Sequence, residues 1–553
     1  MFENFDTEAA EFANKSRRYA IDTGTLSEGV SQLDAFIVHR SEDHIRVYDR
    51  TCDHNAGRLI TNAGRVRCPL HGWELDPATG RYMNVDCEKK PLYSGAIPKE
   101  PLIIEMPEAR RALKGFSQNL DVSIRYLNHA CLVIETDGLR IGTDPWIEGP
   151  AFCNGWWLAE PSPVDSYDVL NACDALFISH NHPDHLHAAS LSHVRKDMPI
   201  LTPKFPSGST VRYLRDLGFT DIHAANVTDR LVHKDREIAL SVLKSGDFRD
   251  DGGLMIEIGT FTMIASVDSN FIDFWRYPDH LTLLAHSFAG GASGFPLCFD
   301  NYSDDEKERL LVRNRNSVRA INRQSLQKAT PSAFLPYAGF FKESAARDAF
   351  VLKRNRKNSI ADYASDCQDL GIELIDVTDT DLLTFKGDKF TGKRASRSKR
   401  MEASDPSLYL DATKIKYPSL DIQEIETYFV GSHFQKALAL RLDLVNDTFE
   451  NTEQTIYIDF YESRAPKISF EAPQPREVRT LNIRVRAPEF RQVLKQGLPW
   501  EDLSIGFQCR ITRSPNVYNS DFWYHFTNVY VNDAVKTRTE DCSACIVIDQ
   551  ALV

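Results

Sequence analysis

Four histidines and an aspartate lie within nine residues of this 553-residue chain, between Ser179 and His187. The stretch follows the apolar run 175–178, which is typical of a buried strand that ends in a loop. It contains the pattern His-x-His-x-Asp-His, formed by His180, His182, Asp184 and His185. Imidazoles and carboxylates presented from one loop are common metal ligands. The spacing therefore predicts a metal site, and the alternative is a histidine-rich surface turn.

A second group of metal ligands lies near the start of the chain. It consists of the patterns Cys-x-His and Cys-x-x-His, formed by Cys52, His54, Cys68 and His71. A Rieske [2Fe–2S] centre needs two cysteines on one iron and two histidines on the other, and this paired arrangement supplies them. The same four ligands could hold zinc instead. A Rieske centre transfers single electrons, so its presence beside another metal site indicates redox chemistry.

Composition excludes several classes of function. The net charge of −13 argues against a general nucleic-acid binder, and no apolar run has the length of a membrane span. The best basic stretch, 386–405, is predicted to be a solvated linker. Eleven cysteines at irregular spacing favour a reducing compartment over a disulfide framework. Together with an N-terminus that lacks the features of a secretory signal, they predict a cytoplasmic location.

Strand patterns in the middle of the chain place further candidate ligands. Hairpin signals occur between 123 and 144 and between 253 and 268, and Asp268 follows the last strand of the second hairpin. With its His-x-His-x-Asp-His loop, this region resembles the metallo-β-lactamase superfamily, which implies an αββα sandwich. The resemblance also implies that His180 and His182 hold one metal, that Asp184 and His185 can hold a second, and that Asp268 can bridge them.

One position departs from that family. A third histidine is expected shortly before the 253 hairpin, where the chain has Asp247 instead. His180, His182 and one carboxylate, Asp247 or Asp268, would form the 2-His-1-carboxylate group of non-haem iron oxygenases. Alternatively, Asp247 is a turn residue and a dinuclear site persists. The remaining histidines are ranked lower as ligands, in the order His286, then His129 and His187.

Glycine-rich and aromatic stretches frame the central region, at 149–158, 287–296 and 335–341. They favour either tight turns over a core or a surface that approaches an anionic group and stacks on a base. With the order of the two metal modules, and with 498–508 and 522–526 near the C-terminus, they resemble the CMP-N-acetylneuraminate hydroxylase family. That resemblance implies hydroxylation of the N-acetyl methyl group of a CMP-linked sialic acid with O₂. It also implies electrons supplied by cytochrome b5 and its reductase.

The predicted fold class is α+β with several domains. We expect a β-rich Rieske domain over 1–115, a metallo-β-lactamase-like αββα sandwich over 121–385, the basic linker over 386–405, and an α+β accessory region over 406–553. The accessory region could close over the site or form a homo-oligomer interface. The isolated pair Cys542-x-x-Cys545 is predicted to be chemically inert.

Three functions are compatible with the sequence. The first is a monooxygenase in which the Rieske cluster supplies electrons to a mononuclear iron, with Asp184 and Asp247 as catalytic candidates. Its partners would be an electron donor, namely cytochrome b5, a ferredoxin or a reductase, and a small substrate such as a nucleotide sugar. The second is a hydrolase with a regulatory Rieske domain, in which Asp184, His185 and Asp268 complete a dinuclear zinc or manganese site. The third is a redox carrier with no reaction of its own.

Overall fold

The computed structural model describes most of the chain. The described residues are 1–53, 59–62, 64–67, 73–83, 87–136, 138–205, 208–245, 251–269, 272, 277–394, 397–461, 466–474, 477–517 and 519–528. The predicted residues His54, Cys68, His71, Asp247, Cys542 and Cys545 lie outside them.

The N-terminal region is rich in short strands. They are β1 (Phe5–Ala9), β2 (Phe12–Ile21), β3 (Gly29–Gln32), β4 (Phe36–Arg40), β5 (His44–Asp49), β6 (Ile60–Asn62), β7 (Arg65–Arg67), β8 (Glu74–Leu75), β9 (Tyr93–Ala96) and β10 (Leu102–Arg111). In the described part, β3-β4-β5-β9 and β6-β7-β8 form two antiparallel sheets, and β2 pairs with β10 as a long ribbon. Apolar residues that include Tyr48 of one sheet, Val66 of the other and the neighbouring Trp73 pack around Cys52.

The central region alternates strands and helices. Its strands are β11 (Asp121–Asn128), β12 (Cys131–Thr136), β13 (Leu139–Thr143), β14 (Pro150–Ala151), β15 (Trp156–Leu158), β16 (Ala175–Phe177), β17 (Ile200–Pro203), β18 (Ile222–Ala225), β19 (Asp229–His233), β20 (Ile238–Lys244), β21 (Gly252–Ile258), β22 (Phe261–Ala265), β23 (Leu281–Ser287), β24 (Pro331–Tyr337), β25 (Phe341–Lys342), β26 (Glu373–Leu374), β27 (Leu382–Lys386) and β28 (Lys389–Lys393). Its helices are α1 (Ser166–Asn171), α2 (Ala188–Ser192), α3 (Ser209–Asp216), α4 (Asp304–Ala329), α5 (Ala349–Arg354) and α6 (Ala364–Leu370).

Two large sheets stack face to face in this region. Within the described residues, one has the order β1-β19-β20-β21-β22-β23-β24-β26 and the other β18-β17-β16-β13-β12-β11-β27-β28. Alternate residues of each strand point to opposite faces, so one set fills the space between the sheets. On β12, for example, Leu132 and Ile134 lie in that inner core, whereas Cys131 and Val133 face the helices.

Helices cover both outer faces of the stacked sheets. Leu170, Leu191 and Leu214 bring α1, α2 and α3 against one sheet. Leu326 and Cys367 bring α4 and α6 against the other. The predicted αββα sandwich is therefore confirmed.

Two segments extend the sandwich beyond the expected boundaries. Strand β28, inside the predicted linker 386–405, pairs with β27 and continues the sheet, because its residues form a hairpin rather than a solvated connection. Strand β1, placed in the Rieske domain by the sequence, pairs with β19 of the sandwich. The N-terminal region is thus joined to the sandwich by backbone hydrogen bonds, and the predicted domain limits remain expectations.

The C-terminal region contains helices α7 (Pro406–Lys416), α8 (Ile422–Gly431), α9 (Ala487–Gln496), α10 (Glu501–Ile505) and α11 (Ser520–Asn528), and strands β29 (Ala439–Val445), β30 (Thr452–Asp459), β31 (Lys467–Ser469), β32 (Thr480–Arg486) and β33 (Cys509–Ser514). Among the described residues, the strands form a sheet in the order β31-β30-β29-β32-β33. Its core also includes Phe152, Trp156 and Phe341 of the central region. The two regions therefore share one hydrophobic core.

Glycines permit the close contact between these regions. A Cβ atom on Gly506 would lie 2.0 Å from the carbonyl oxygen of Phe152, and one on Gly294 would lie 2.3 Å from that of Ser504. Side chains at these positions would separate the backbones. The contact fixes α10 against the central region.

In the part of the chain that the structure describes, none of the helices combines the length and the hydropathy that a membrane span requires.

We expect Gly506→Ala to destabilise the protein by about 1–3 kcal/mol, the usual cost of overpacking. Gly506 has φ −78°, so the cost would come from the clash with Phe152 and not from backbone conformation. Denaturant unfolding would measure the loss. Gly24→Ala is the control, because its nearest neighbour is a side-chain oxygen at 3.3 Å. An unchanged midpoint for Gly506→Ala would contradict the packing described.

Candidate metal centre

The histidine-rich loop connects β16 to α2 at one edge of the sandwich. Strand β16 runs parallel to β13 and β17, so the loop lies at the carboxyl end of neighbouring parallel strands. Loops at such edges commonly carry ligand sites. The apolar residues of β16 are fully buried, which fixes the start of the loop.

The first group of donor atoms comes from His180, His182 and Asp251, and these atoms lie within 4.8 Å of one another. The Nε2 atom of His180 lies 2.8 Å from Nδ1 of His182 and 3.8 Å from Oδ1 of Asp251. The other ring nitrogen of His180 contacts the Ser179 hydroxyl at 2.9 Å. Two imidazoles and one carboxylate therefore converge on one point.

A second group lies next to the first. The Nε2 atom of His185 is 3.3 Å from Oδ2 of Asp184 and 3.5 Å from Oδ2 of Asp268. The Nε2 atom of His129 is 3.2 Å from Oδ2 of Asp184. Asp268 also lies 4.0 Å from His180 Nε2. Asp268 is thus placed between the two groups, where the family resemblance expected a bridging carboxylate.

Asp144 contacts residues that belong to, or directly precede, the two donor groups. Its carboxylate accepts a hydrogen bond from the Ser179 backbone N–H at 2.8 Å and lies 3.2 Å from Nδ1 of His185. Asp144 is completely buried. A carboxylate behind a histidine ligand fixes the ring orientation and raises its basicity. Asp144 therefore directs Nε2 of His185 toward Asp184 and Asp268.

Three residues beside the donor groups have left-handed backbone conformations. They are His129 (φ 43°), Asp144 (φ 35°) and Val267 (φ 54°). The left-handed region is unfavourable for residues other than glycine, most of all for a β-branched one. The Val267 N–H donates to the Tyr337 hydroxyl at 3.0 Å, which helps to hold this turn. Such strain is common where a site must present a side chain precisely.

Several buried polar atoms at the site have no hydrogen-bond partner among the described residues. They include Oδ1 of Asp184 and Nδ1 of His129. Leaving a buried polar atom unsatisfied costs about 1–3 kcal/mol, and more for a charged group. A cation would satisfy the carboxylate and accept imidazole lone pairs. The donors present, imidazole nitrogens and carboxylate oxygens, suit iron, zinc and manganese.

The pKa shifts of the site residues indicate that the surrounding carboxylates make the local electrostatic potential negative. Burial opposes the charging of His185, but Asp184 and Asp268 raise its pKa well above the usual value. Burial likewise opposes protonation of His182, yet Glu501 raises its pKa to about 10. Burial would raise the pKa of Asp184, but His185 and His129 hold it well below its usual range. These carboxylates favour a positive charge at the centre, which a metal ion would supply in place of protons.

The structure brings together five predicted ligands, namely His180, His182, Asp184, His185 and Asp268. His286 is buried, and burial lowers its pKa to about 4, but it joins none of the donor groups found in the described residues. The His187 ring contacts the Ser190 hydroxyl and the Pro150 carbonyl, so it has a structural role. His129, ranked low by the sequence, contacts Asp184 directly.

Three acidic residues at the site were not predicted. Asp251 directly precedes β21, close to the predicted carboxylate position, and only its place beside a glycine hairpin could have indicated it. Asp144 follows β13 and had the signal of an aspartate at a strand end. Glu501, whose Oε1 is 3.0 Å from Nε2 of His182, is 319 residues away in sequence. No local pattern connects it to the loop.

The described part of the predicted cluster site is the Cys52 loop. Cys52 is buried, and the Tyr82 hydroxyl lies 3.9 Å from its sulfur and 2.8 Å from Oδ2 of Asp53. The Lys89 ammonium donates to the Thr51 carbonyl at 2.7 Å and to Asp53 at 3.4 Å. Hydrogen bonds to a ligating sulfur tune the reduction potential of an iron–sulfur cluster.

The tryptophans of the 149–158 stretch are used in packing. Trp156 stacks on Phe341 with ring centroids 3.5 Å apart, and Phe152 packs against both Trp156 and His182. Trp157 is also buried. Of the two interpretations of this stretch, the structure favours turns over a core.

Comparisons with known proteins agree with this architecture. Residues 17–104 match the Rieske [2Fe-2S] domain, and residues 123–244 match a β-lactamase superfamily domain. Cytidine monophosphate-N-acetylneuraminic acid hydroxylase from Xenopus laevis is 28% identical over 552 residues, which cover 91% of each chain. The Macaca mulatta enzyme of the same name is 29% identical over 556 residues and 92% of each chain.

The chain is a homologue of the CMP-N-acetylneuraminic acid hydroxylases. The resemblance inferred from the sequence is thereby confirmed, as is the fold class with a Rieske module before a β-lactamase-like domain.

Solved structures resemble parts of the chain more weakly. The metallo hydrolase Igni18 from Ignicoccus hospitalis has a TM-score of 0.31 at 14% identity, covering 48% of this chain and 99% of its own. CmlA, a diiron beta-hydroxylase from Streptomyces venezuelae, has a TM-score of 0.32 at 17% identity, covering 50% and 55%. Likenesses this weak do not bear on function.

We expect Asp251→Ala to weaken metal binding at the centre by more than about 100-fold, the upper end for outer-shell partners of a metal. The variant would lose one of three converging donors, and His180→Ala should have a similar effect. Metal analysis after dialysis against a chelator would measure the loss, while electron paramagnetic resonance verifies that the cluster is intact. The exposed His193, changed to Ala, is the control. Full metal content in Asp251→Ala would show that Asp251 is not a ligand.

Proposed function

We propose that this protein is a Rieske-containing, iron-dependent monooxygenase that hydroxylates the N-acetyl methyl group of a CMP-sialic acid or a similar nucleotide sugar. The observation that supports it most is that an electron-transfer domain and a buried site with metal-ligand chemistry occur in one chain. Hydrolysis needs no electrons, whereas oxygen insertion does. The reaction is R–CH₃ + O₂ + 2e⁻ + 2H⁺ → R–CH₂OH + H₂O.

The residues of the candidate metal centre would have separate roles in this reaction. His180, His182 and Asp251 would hold iron from one side, and the remaining positions would stay open to O₂ and substrate. Iron held there would activate O₂, with electrons passed on by the cluster. Asp268 would compensate the positive charge of the centre. Asp144 would keep His185 oriented, because it contacts Nδ1 of that ring.

Acid and base roles are assigned on geometry. Asp184 lies within 3.3 Å of both His129 and His185, so its Oδ2 could hold a proton shared with either ring. The site is largely closed to water, since His180, Asp184 and His185 are each no more than 3% exposed as side chains. Exclusion of water would protect a reactive centre from side reactions. A catalytic role for Asp184, and one for Asp247, stay predictions.

Partners follow from the same proposal. A Rieske hydroxylase needs an electron donor and a small substrate, and the donor would be cytochrome b5, a ferredoxin or a reductase. A cytoplasmic location fits the irregular spacing of the eleven cysteines, which favours a reducing compartment. Self-association through the C-terminal region is also a proposal, as is the choice of one nucleotide sugar as the substrate.

We expect O₂ uptake that depends on substrate when the chain, carrying its cluster and iron, is given a chemical reductant and CMP-N-acetylneuraminic acid. Each O₂ consumed should yield one hydroxylated product, detected as a mass increase of one oxygen. His180→Ala should reduce uptake to the rate without substrate, because it removes a ligand while leaving the cluster in place. Free N-acetylneuraminic acid is the matched control for the nucleotide. Uptake unaffected by every nucleotide sugar tried would contradict the proposal.

A hydrolase is the second candidate, because Asp184 and Asp268 both lie close to His185 and the three residues could complete a dinuclear site. Metal counting separates the two functions. We expect about one iron per chain beyond the two of the cluster, since oxygen activation needs a redox-active metal. About two zinc or manganese ions per chain, with turnover that needs no reductant, would favour the hydrolase.

A further inference from the structure

We propose that Glu501, from the C-terminal region, is a positioning residue for the metal ligand His182. This proposal rests on the metal centre of the proposed function. The carboxylate oxygen Oε1 of Glu501 lies 3.0 Å from Nε2 of His182. The other nitrogen of the same ring, Nδ1, faces His180 Nε2 at 2.8 Å. The imidazole is therefore held between a carboxylate and the donor group.

This arrangement selects one form of the ring. A carboxylate accepts a hydrogen bond, so the proton of neutral His182 would sit on Nε2 and leave the lone pair of Nδ1 free. Which nitrogen of a histidine binds metal is set by the hydrogen bond that the other nitrogen makes. Glu501 would thus fix both the tautomer and the direction of Nδ1. The negative charge would also make His182 a stronger donor to a cation.

Glu501 is not itself placed as a ligand. Among the described residues, the donor groups around His180 and His182 include Asp251 but not Glu501. Its contact is with Nε2, on the far side of the ring from the first donor group. A metal held by Nδ1 of His182 would complete the carboxylate–histidine–metal arrangement that is common in metal sites.

The position of Glu501 depends on packing between regions. Glu501 begins α10, directly after Trp500, which is buried and donates to the Tyr428 hydroxyl at 2.5 Å. At the other end of α10, the Ile505 carbonyl accepts from Trp156 Nε1 at 3.0 Å. The central and C-terminal regions thus hold the backbone of α10 at both ends. The carboxylate reaches His182 only while these contacts persist.

The consequence is a coupling between the C-terminal region and the metal. Loosening α10 would withdraw the carboxylate from His182 without changing any ligand. The side chains of Glu501 and His182 are 34% and 15% exposed, so the pair lies at the rim of the otherwise buried centre. The C-terminal region therefore completes the metal centre in addition to packing against it.

Glu501→Ala and Glu501→Gln test the proposal by metal affinity. The chain would be isolated with its cluster intact and its other metal removed, then titrated with Co²⁺ against a competing chelator. We expect Glu501→Ala to weaken Co²⁺ binding by about 10–100-fold, the range for loss of such a partner. Glu501→Gln keeps an oxygen that accepts from Nε2–H, so it should recover part of this affinity. Its visible Co²⁺ spectrum should stay close to that of the unaltered chain.

Two further variants make the result decisive. Glu426→Ala removes an exposed glutamate of α8 and should bind Co²⁺ like the unaltered chain. Normal affinity in Glu501→Ala, beside weakened binding in His182→Ala, would overturn the positioning role alone. Normal affinity in His182→Ala would overturn the proposed metal centre as well. Equal loss in Glu501→Gln and Glu501→Ala would assign the effect to the charge of Glu501 and overturn its role in fixing the tautomer.

Discussion

The arrangement of the centre depends on the cost of burying charge. His129, His180, Asp184 and His185 are almost fully buried within two neighbouring groups of donors. Removing such groups from water costs several kcal/mol for each ion unless opposite charge and hydrogen bonds compensate. Asp184 keeps an oxygen without a partner among the described residues, so the protein alone compensates incompletely. A bound cation at the proposed metal centre would supply the remaining compensation.

Several parts of the structure place the charged side chains of this site. The two sheets fix the strand ends from which the ligands project, and the left-handed turns at Asp144 and Val267 direct carboxylates inward at the cost of local strain. The C-terminal region contributes at a distance, because α10 places Glu501 on His182. Hydrophobic packing shared by the central and C-terminal regions therefore bears directly on the position of the proposed metal ligand His182.

Sequence reasoning could place together those residues whose positions follow from local strand patterns, while their roles as metal ligands stay predictions. His180, His182, Asp184 and His185 follow one strand at fixed spacing, and Asp268 follows another, so strand patterns alone brought them together. It could not identify Asp251, because no motif around this residue indicates that its carboxylate lies near His180. Glu501 could not be predicted for a stronger reason, since its contact with His182 joins two regions that are far apart in sequence. The strand at 389–393 was missed because lysine and glycine favour a loop locally, while pairing with β27 outweighs that preference.

The proposed ligand Asp251 bears on both chemical interpretations of this scaffold, because two histidines and one carboxylate occur in non-haem iron oxygenases and in catalytic zinc sites. A ligand set with a third neutral histidine leaves a divalent metal with its full charge, which suits polarisation of a bound water for hydrolysis. Replacing that histidine by a carboxylate adds negative charge to the ligand set and stabilises a higher oxidation state. Iron that cycles between oxidation states benefits from this change, but zinc is also held by two histidines and one carboxylate in hydrolases. The Asp251 carboxylate is therefore compatible with either metal, and the N-terminal electron-transfer module is the feature that favours a redox-active one.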